Sequence, residues 1–181
     1  MKVLHLNYSD QIGGAAVSVM RLHKSLIEKN INSNLLIIEK TTNEKNLLCE
    51  TSTFSKIKDL IKKALLRFLN KISNSENKET FSINLIGGLS YKKINSISAD
   101  IVNLHWISNE MISLKEISKI QTPMVWTLVD MWLFCGGEHY TFEKRFIDGY
   151  KKENREKDSG GFDLNKFIWL RKKKYLNKNI K

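Results

Sequence analysis

The chain begins Met1-Lys2-Val3-Leu4-His5-Leu6-Asn7-Tyr8-Ser9-Asp10-Gln11-Ile12-Gly13-Gly14, and this stretch decides the fold. Alternation over residues 2–7 predicts a first strand. After the glycine pair, apolar positions recur at steps of three and four residues, which predicts a helix whose buried stripe comprises Ala16, Val19, Met20, His23, Leu26 and Ile27. The run Leu35-Leu36-Ile37-Ile38 then has the continuous apolar character of a strand inside a parallel sheet. Together these segments predict a βαβ unit.

The same rhythm continues through the second half of the chain. Strands are predicted at residues 100–105 and 123–128, and helices near 91–97, 114–120 and 164–176. Strands alternating with helices predict an α/β fold, with a doubly wound, Rossmann-like parallel sheet and helices on both faces. Three loops follow strands, at residues 9–14, 105–109 and 130–140. Ligands of such folds bind beyond the carboxyl ends of the strands, so these loops are the candidate site.

The length and the segment boundaries indicate a single domain. The chain has 181 residues, close to the usual size of one domain. Residues 41–90 are predicted to be a variable insert, and residues 130–162 a long loop. Within the insert, residues 55–72 form a basic amphipathic pattern. That pattern fits either a helix lying on an anionic membrane surface or a core helix with a solvated basic face.

Charge and composition narrow the function classes. The formal net charge of +11 favours an anionic partner. Recognised nucleic-acid modules are lacking, so no nucleic-acid partner is predicted. Cys49 and Cys135 lie far apart and outside any metal-binding spacing, so neither a metal site nor a disulfide framework is predicted. The chain has no apolar run of roughly 18 residues and no secretory leader pattern, which predicts a cytoplasmic protein.

Gly13 and Gly14 are the first candidate binding residues. A helix that begins at such a pair can present free amide groups to an anion, although a tight strand-to-helix turn alone also explains the glycines. Glu39 ends the second strand and resembles the ribose-binding acid of dinucleotide domains. Its distance from the glycines exceeds the spacing of about 20 residues expected there. A dinucleotide-binding oxidoreductase domain is therefore the weaker alternative, and a non-catalytic membrane or interaction module is another.

A second group of candidates comes from the loops after the later strands. The group consists of His105, Trp106, Asp130, Trp132, Gly136, Gly137, His139 and Tyr140. Carboxylates that bind hydroxyl groups, aromatic faces and bare backbone together suit a polar, ring-shaped ligand. A single histidine at a strand end is also commonly structural, so this alternative stays open for His105.

Four segments stand in a fixed order along the chain. They are Met1 to Asn7 with Gly13-Gly14-Ala15-Ala16, then Ala99-Asp100-Ile101-Val102-Asn103-Leu104-His105-Trp106, then Pro123-Met124-Val125-Trp126-Thr127-Leu128-Val129-Asp130-Met131-Trp132, then Gly136-Gly137-Glu138-His139-Tyr140. Together with the closing basic helix, they resemble the N-terminal half of a GT-B fold in family-four glycosyltransferases. That group includes colanic acid and other bacterial polysaccharide enzymes, and the resemblance covers most of the chain.

The resemblance implies a function. The matching half of such enzymes holds the acceptor, and a second Rossmann-like half binds the nucleotide sugar, with retention of anomeric configuration and no tightly bound metal or other cofactor. It implies Asp130 as the catalytic candidate. It implies substrate binding by Gly13, Gly14, His105, Trp106, Trp132 and His139. The expected acceptor is a polysaccharide or lipid-linked glycan at the inner membrane face.

Two departures from the family pattern limit this expectation. Val129 stands where family members usually have a histidine, and valine can neither accept nor donate a proton. The sequence also ends where the next strand of the domain would begin, before any donor half. The expectation is an incomplete glycosyltransferase, inactive alone, whose donor domain is absent or carried by a separate chain.

Overall fold

Five parallel strands form the centre of the protein. The computed structural model describes residues 1–50, 64, 67, 81–142, 144–155 and 160–176. The strands are β1 (Lys2–Leu6), β2 (Asn32–Ile37), β3 (Leu47–Cys49), β4 (Ile101–Leu104) and β5 (Met124–Trp126). They are ordered β3-β2-β1-β4-β5 in one sheet, and every pairing is parallel. This order places β1 at the centre, so the loop after β1 lies between the loops after β2 and β4.

Helices cover both faces of the sheet. The described helices are α1 (Gly13–Glu28), α2 (Tyr91–Ser96), α3 (Leu114–Ile117), α4 (Arg145–Asp148) and α5 (Leu164–Leu176). On one face, Val19 of α1 packs against Leu35 and Ile37. On the other, Leu4 and Leu6 belong to a larger core that also includes residues of α2, α3 and α5. The predicted α/β fold with helices on both faces is confirmed.

Several local predictions are refined by the structure. The edge strand β3 lies within the predicted insert at 41–90 and was not predicted, because its three residues are too few to show a period. The predicted long loop at 130–162 contains the single turn of α4. Asp163 caps the last helix, since its carboxylate accepts a hydrogen bond from the Lys166 amide at 3.0 Å. The predicted basic helix at 55–72 lies outside the described residues apart from two isolated positions.

Ser113 and Glu116 before and within α3 have the spacing of a capping box, which forms only in part. Ser113 accepts a hydrogen bond from the Glu116 amide at 3.2 Å, as a helix cap does. The Glu116 carboxylate does not return to Ser113 but accepts from the Tyr91 amide at 3.0 Å. It therefore joins α3 to α2. None of the helices in the described part of the chain is long and apolar enough to cross a membrane.

Candidate functional site

A cleft of about 630 Å³ opens at the carboxyl edge of the sheet. The loops after β1, β2, β4 and β5 contribute its walls. Its lining residues are Tyr8, Ile12, Gly13, Gly14, Ala15, Glu39, Trp106, Asn109, Val129, Asp130, His139 and Tyr140. The three loops that the sequence predicts to meet at this edge therefore share one cavity, of a size suited to a small organic ligand.

The glycine pair supplies bare backbone to one wall. A Cβ atom added at Gly13 or Gly14 would have no neighbour within 4 Å, so both residues face open space. Gly13 has φ +84, a left-handed conformation that favours glycine. No side chain caps α1 at Ile12. The first amide groups of a 16-residue helix are thus left for a ligand or water.

Asn7 joins the loop after β1 to the loop after β4. Its side-chain oxygen accepts a hydrogen bond from the Trp106 amide at 3.0 Å, and its side-chain nitrogen donates to the Ser9 carbonyl at 2.7 Å. The Tyr8 amide donates to the Trp106 carbonyl at 2.9 Å. These bonds fix the Trp106 backbone relative to the glycine loop, although its indole ring remains at the cleft surface.

Asp10 joins the same loop to the segment after β2. Its buried carboxylate accepts hydrogen bonds from the backbone amides and the hydroxyls of Thr41 and Thr42, at 2.6 to 3.2 Å. Burial alone would raise the pKa of Asp10, but the bonds from Thr42 and Thr41 outweigh it and lower the pKa to about 2. Asp10 is therefore a structural anchor of the cleft wall.

Asp130, His139 and Ser82 form a hydrogen-bonded chain behind the cleft surface. His139 Nδ1 lies 2.5 Å from Asp130 Oδ2, and His139 Nε2 lies 2.9 Å from Ser82 Oγ. The Asn109 amide donates to the same Ser82 oxygen at 3.3 Å. A proton arrangement that satisfies the chain has Nδ1–H donating to Asp130 and the Ser82 hydroxyl donating to Nε2. This tautomer is assigned from the network.

Asp130, His139 and Ser82 stand in the order of a catalytic triad, but the burial of Ser82 excludes a nucleophilic role for its hydroxyl. Ser82 is only 2% or less exposed and does not line the cleft, so its oxygen cannot reach a substrate. The group that faces the cleft is the carboxylate, whose side chain is 11% exposed. The chain therefore supports Asp130 from behind and does not activate a serine.

Asp130 is held in its ionised form. Burial raises its pKa, but hydrogen bonds from His139, the Trp132 amide and the Trp106 indole outweigh this and leave it below the ordinary value. The Trp106 indole nitrogen lies 3.3 Å from His139 Nδ1. Because Nδ1 already carries the proton shared with Asp130, we assign the Trp106 N–H as a donor to the Asp130 carboxylate. A carboxylate of lowered pKa is a good hydrogen-bond acceptor and a weak base.

His105 lies behind the cleft wall and does not line it. It is buried, and its Nε2 atom lies 3.0 Å from Nδ1 of the buried His5. Burial lowers the pKa of each histidine to about 4, and for His5 the neighbouring His105 and His23 add to the effect. The position of His105 therefore fits a structural role, which the sequence left open beside a binding role.

Trp132 is buried as well. Its indole N–H donates to the Ser82 carbonyl at 2.9 Å, and its ring stacks on His139 with a centroid distance of 6.3 Å. The Lys172 ammonium also lies over this ring, 3.9 Å from the centroid. Trp132 thus holds His139 in place and presents no face to the cleft.

Gly136 and Gly137 serve packing, in contrast to the expectation of bare backbone for a ligand. A Cβ atom at Gly137 would lie 2.3 Å from the Phe81 ring, and one at Gly136 would lie 2.6 Å from Asn165. Their amides donate to the hydroxyl of Tyr150 and the side-chain oxygen of Asn165. Both glycines are required for the close approach of the loop to α5 and the segment at Phe81.

The structure brings together five of the seven predicted site residues: Gly13, Gly14, Trp106, Asp130 and His139 line the cleft. Val129 lines it too, at the position where the family pattern has histidine. The candidate Tyr140 also lines the cleft. Tyr8 and Asn109 line it too and were not predicted as binding residues, although each lies in or next to a strand-ending loop, and that placement is the signal that could have found them. Ser82 carries no such signal, because it does not follow a predicted strand.

Comparison of the chain with family models, curated proteins and solved structures finds no match in any of the three.

Proposed function

We propose that this domain binds the acceptor sugar in a glycosyl transfer reaction. The acceptor is a polysaccharide or lipid-linked glycan, and the nucleotide-sugar donor is held by a second wall supplied by another domain or chain. In this proposal the domain works at the cytoplasmic membrane face. The resemblance of the four sequence segments to glycosyltransferases supports it, and so does the chemistry of the cleft.

The observation that carries the proposal is the lining of the cleft. Trp106 and Tyr140 supply aromatic surface, Asp130 and Glu39 supply carboxylates, and Asn109 supplies an amide. A sugar ring offers apolar C–H faces and outward hydroxyls, so it is matched by aromatic faces and hydrogen-bond acceptors together. A purely apolar ligand would displace water from the partly buried Asp130 carboxylate without donating a hydrogen bond to it, which is unfavourable.

Asp130 is assigned a binding role in this proposal. Its lowered pKa makes it a weak proton acceptor, and Val129 beside it cannot transfer protons. A carboxylate held ionised by three donors can still accept hydrogen bonds from sugar hydroxyls through its remaining lone pairs. The domain then contributes orientation of the acceptor, and in favourable systems orientation supplies about 7 to 11 kcal/mol of the barrier reduction.

Ligand-detected NMR with methyl glycosides tests the proposal. Saturation-transfer signals are expected for the ring protons that face Trp106, and backbone amide shifts are expected at Gly13, Gly14 and Asn109. Asp130→Asn and Trp106→Ala are each expected to weaken binding about tenfold or more. The matched controls are Asp148→Asn and Trp169→Ala, which alter an exposed carboxylate and an aromatic residue of α5 outside the cleft lining. Equal weakening by control and site variants, or no binding by any sugar, would reject the proposal.

A dinucleotide-binding oxidoreductase domain is the second candidate. One observation favours it: Gly13, Gly14 and Glu39 line the same cleft, which is how dinucleotide domains place their phosphate and ribose groups. NADH fluorescence separates the two functions. Saturable binding that is weakened by Glu39→Ala would support the oxidoreductase, whereas the sugar-binding proposal predicts no such binding.

A further inference from the structure

The cleft has the opposite charge to the rest of the molecule. The chain carries a formal net charge of +11. The described residues that line the cleft nevertheless include Glu39 and Asp130 and no lysine or arginine. A ligand in this cavity therefore lies beside carboxylates, and the basic side chains of the described residues lie outside the lining.

Glu39 is an exposed carboxylate at a fixed place. The Glu39 amide donates to the Tyr8 carbonyl at 2.9 Å, and Glu39 forms a parallel β-bridge with Ser9. Its side chain makes no ion pair with any residue in the described ranges of the chain. The backbone thus holds Glu39 at the cleft wall, and its charge is left for solvent or a ligand.

Asp130 adds a second negative charge to the cavity. His139, the Trp132 amide and the Trp106 indole donate hydrogen bonds to it. The start of α1 opposes the carboxylates with a partial charge equivalent to roughly half a positive charge. Two carboxylates therefore outweigh the helix terminus, and more distant lysines are screened over about 8 Å at physiological salt.

We propose that the cleft selects its sugar by charge, and that Glu39 sets this preference. A hexosamine with a free ammonium group binds best, a neutral hexose binds less well, and a uronic acid binds worst. The ammonium group gains from the Glu39 carboxylate and from the aromatic faces of Trp106 and Tyr140, which attract cations. This inference rests on the proposed function, because it requires that the cleft hold a sugar.

Isothermal titration at about pH 6, with the amine protonated, tests the order with three probes: the methyl glycosides of glucosamine, glucose and glucuronic acid. Each step of charge is expected to change Kd about tenfold at low salt. Glu39→Gln is expected to reduce the spread between the first and third probe by about tenfold, and added salt is expected to reduce it further. The matched control is Glu28→Gln, which removes an exposed carboxylate that does not line this cleft.

The outcomes separate the two proposals. If all three sugars bind, and Trp106→Ala weakens them equally, but their affinities do not follow charge, the charge preference is wrong and the sugar-binding function stands. An undiminished spread between the first and third probe in Glu39→Gln assigns the preference to another residue and overturns the role of Glu39. If none of the three probes binds, both proposals are overturned.

Discussion

The Nδ1 atom of His139 lies 2.5 Å from the Oδ2 atom of Asp130, and against the effect of burial this hydrogen bond helps to hold the pKa of the carboxylate below its ordinary value. His139 comes from the segment after β5 and is buried against Trp132. Its other nitrogen is occupied by Ser82, so the imidazole cannot turn toward a ligand. The Asp130 carboxylate is therefore a hydrogen-bond acceptor held in a fixed position at the cleft, and His139 acts by positioning it.

Replacement of His139 by alanine is expected to raise the pKa of Asp130. The side-chain hydrogen bond from His139 is the largest contribution that lowers this pKa, and burial, which raises it, would remain. The loss also leaves the buried Ser82 hydroxyl without its acceptor, so the free energy of unfolding should fall by about 1 to 3 kcal/mol. Carbon-detected NMR titration of the carboxyl group measures the first effect, and urea unfolding measures the second.

His139→Gln provides the conservative comparison, because its amide can still donate to Asp130. The Asp130 pKa should then lie between the wild-type and alanine values. An Asp130 pKa that is the same in all three proteins would show that His139 fills space only.

Gly137 and Gly14 are expected to respond differently to alanine. At Gly137 the added methyl would lie 2.3 Å from the Phe81 ring, and overpacking of this kind costs roughly 1 to 3 kcal/mol. At Gly14 the methyl meets open space, so stability should change by less than about 1 kcal/mol. The methyl at Gly14 would still narrow the cleft, so sugar binding should weaken. Thermal unfolding and NMR binding of the two variants check this, and a destabilised Gly14→Ala protein would contradict it.

The fold was predictable from the sequence because its signals are local. The apolar run in β2 and the periodic stripe of α1 each reveal a buried face without knowledge of the rest of the chain. β3 was not predictable, since Leu47-Leu48-Cys49 gains its strand geometry only by pairing with β2. The extent of α3 was overestimated because the apolar spacing of residues 114–120 continues past its last helical residue, Ile117.

The candidate site was predictable only in part, because residue type does not report depth. Trp106 and Trp132 both follow a strand and both looked like aromatic platforms. Only Trp106 lines the cleft. The indole N–H of Trp132 donates to the Ser82 carbonyl, and the Lys172 ammonium lies over its ring. The role of Ser82 depends on a contact 57 residues away along the chain, which no local pattern shows.

The buried pair His5 and His105 is expected to lower the stability of the protein on acidification, at pH values above those at which most carboxylates take up protons. Both pKa values are lowered from 6.5 to about 4, so between these values the unfolded chain binds more protons than the folded one. Stability should therefore fall as the pH drops from 6.5 toward 4, by roughly 3 kcal/mol for each histidine. Urea unfolding at a series of pH values measures this slope.

A double variant, His5→Leu with His105→Leu, is the control for the pH slope. It removes both titrating groups and should flatten the dependence between pH 6.5 and 4, whatever its effect on absolute stability. An undiminished slope in the double variant would assign the effect to other groups.

Asp10 is expected to act in a lower pH window. Its pKa is lowered to about 2, so its contribution is complete above the ordinary value of 3.8 and is lost as the pH falls from there toward 2. Asp10→Asn should lower the free energy of unfolding at neutral pH. It should also remove the change in stability that Asp10 causes between pH 3.8 and 2. Amide exchange at Thr41 and Thr42 reports the effect directly, because both amides donate to this carboxylate. Unchanged exchange in the variant would contradict the anchoring role.

Lys172 is expected to be the most sensitive lysine of α5. Its buried ammonium donates to the carbonyls of Trp132, Cys135 and Gly136 and so closes the turn that carries Asp130 and His139 to the cleft. Lys172→Met keeps the volume but leaves these three carbonyls unpaired and removes a basic group that interacts with the buried Glu138. A loss of about 3 kcal/mol or more in the free energy of unfolding is expected.

The matched control is Lys174→Met, two residues further along the same helix at an exposed position, which should change stability by less than about 0.5 kcal/mol. Sugar binding adds a second measurement. If the turn is held by Lys172, its loss should weaken binding through displacement of Asp130, with matching amide shifts at residues 131–139. A Lys172→Met protein with wild-type stability and wild-type binding would show that the carbonyls of this turn are satisfied without the ammonium.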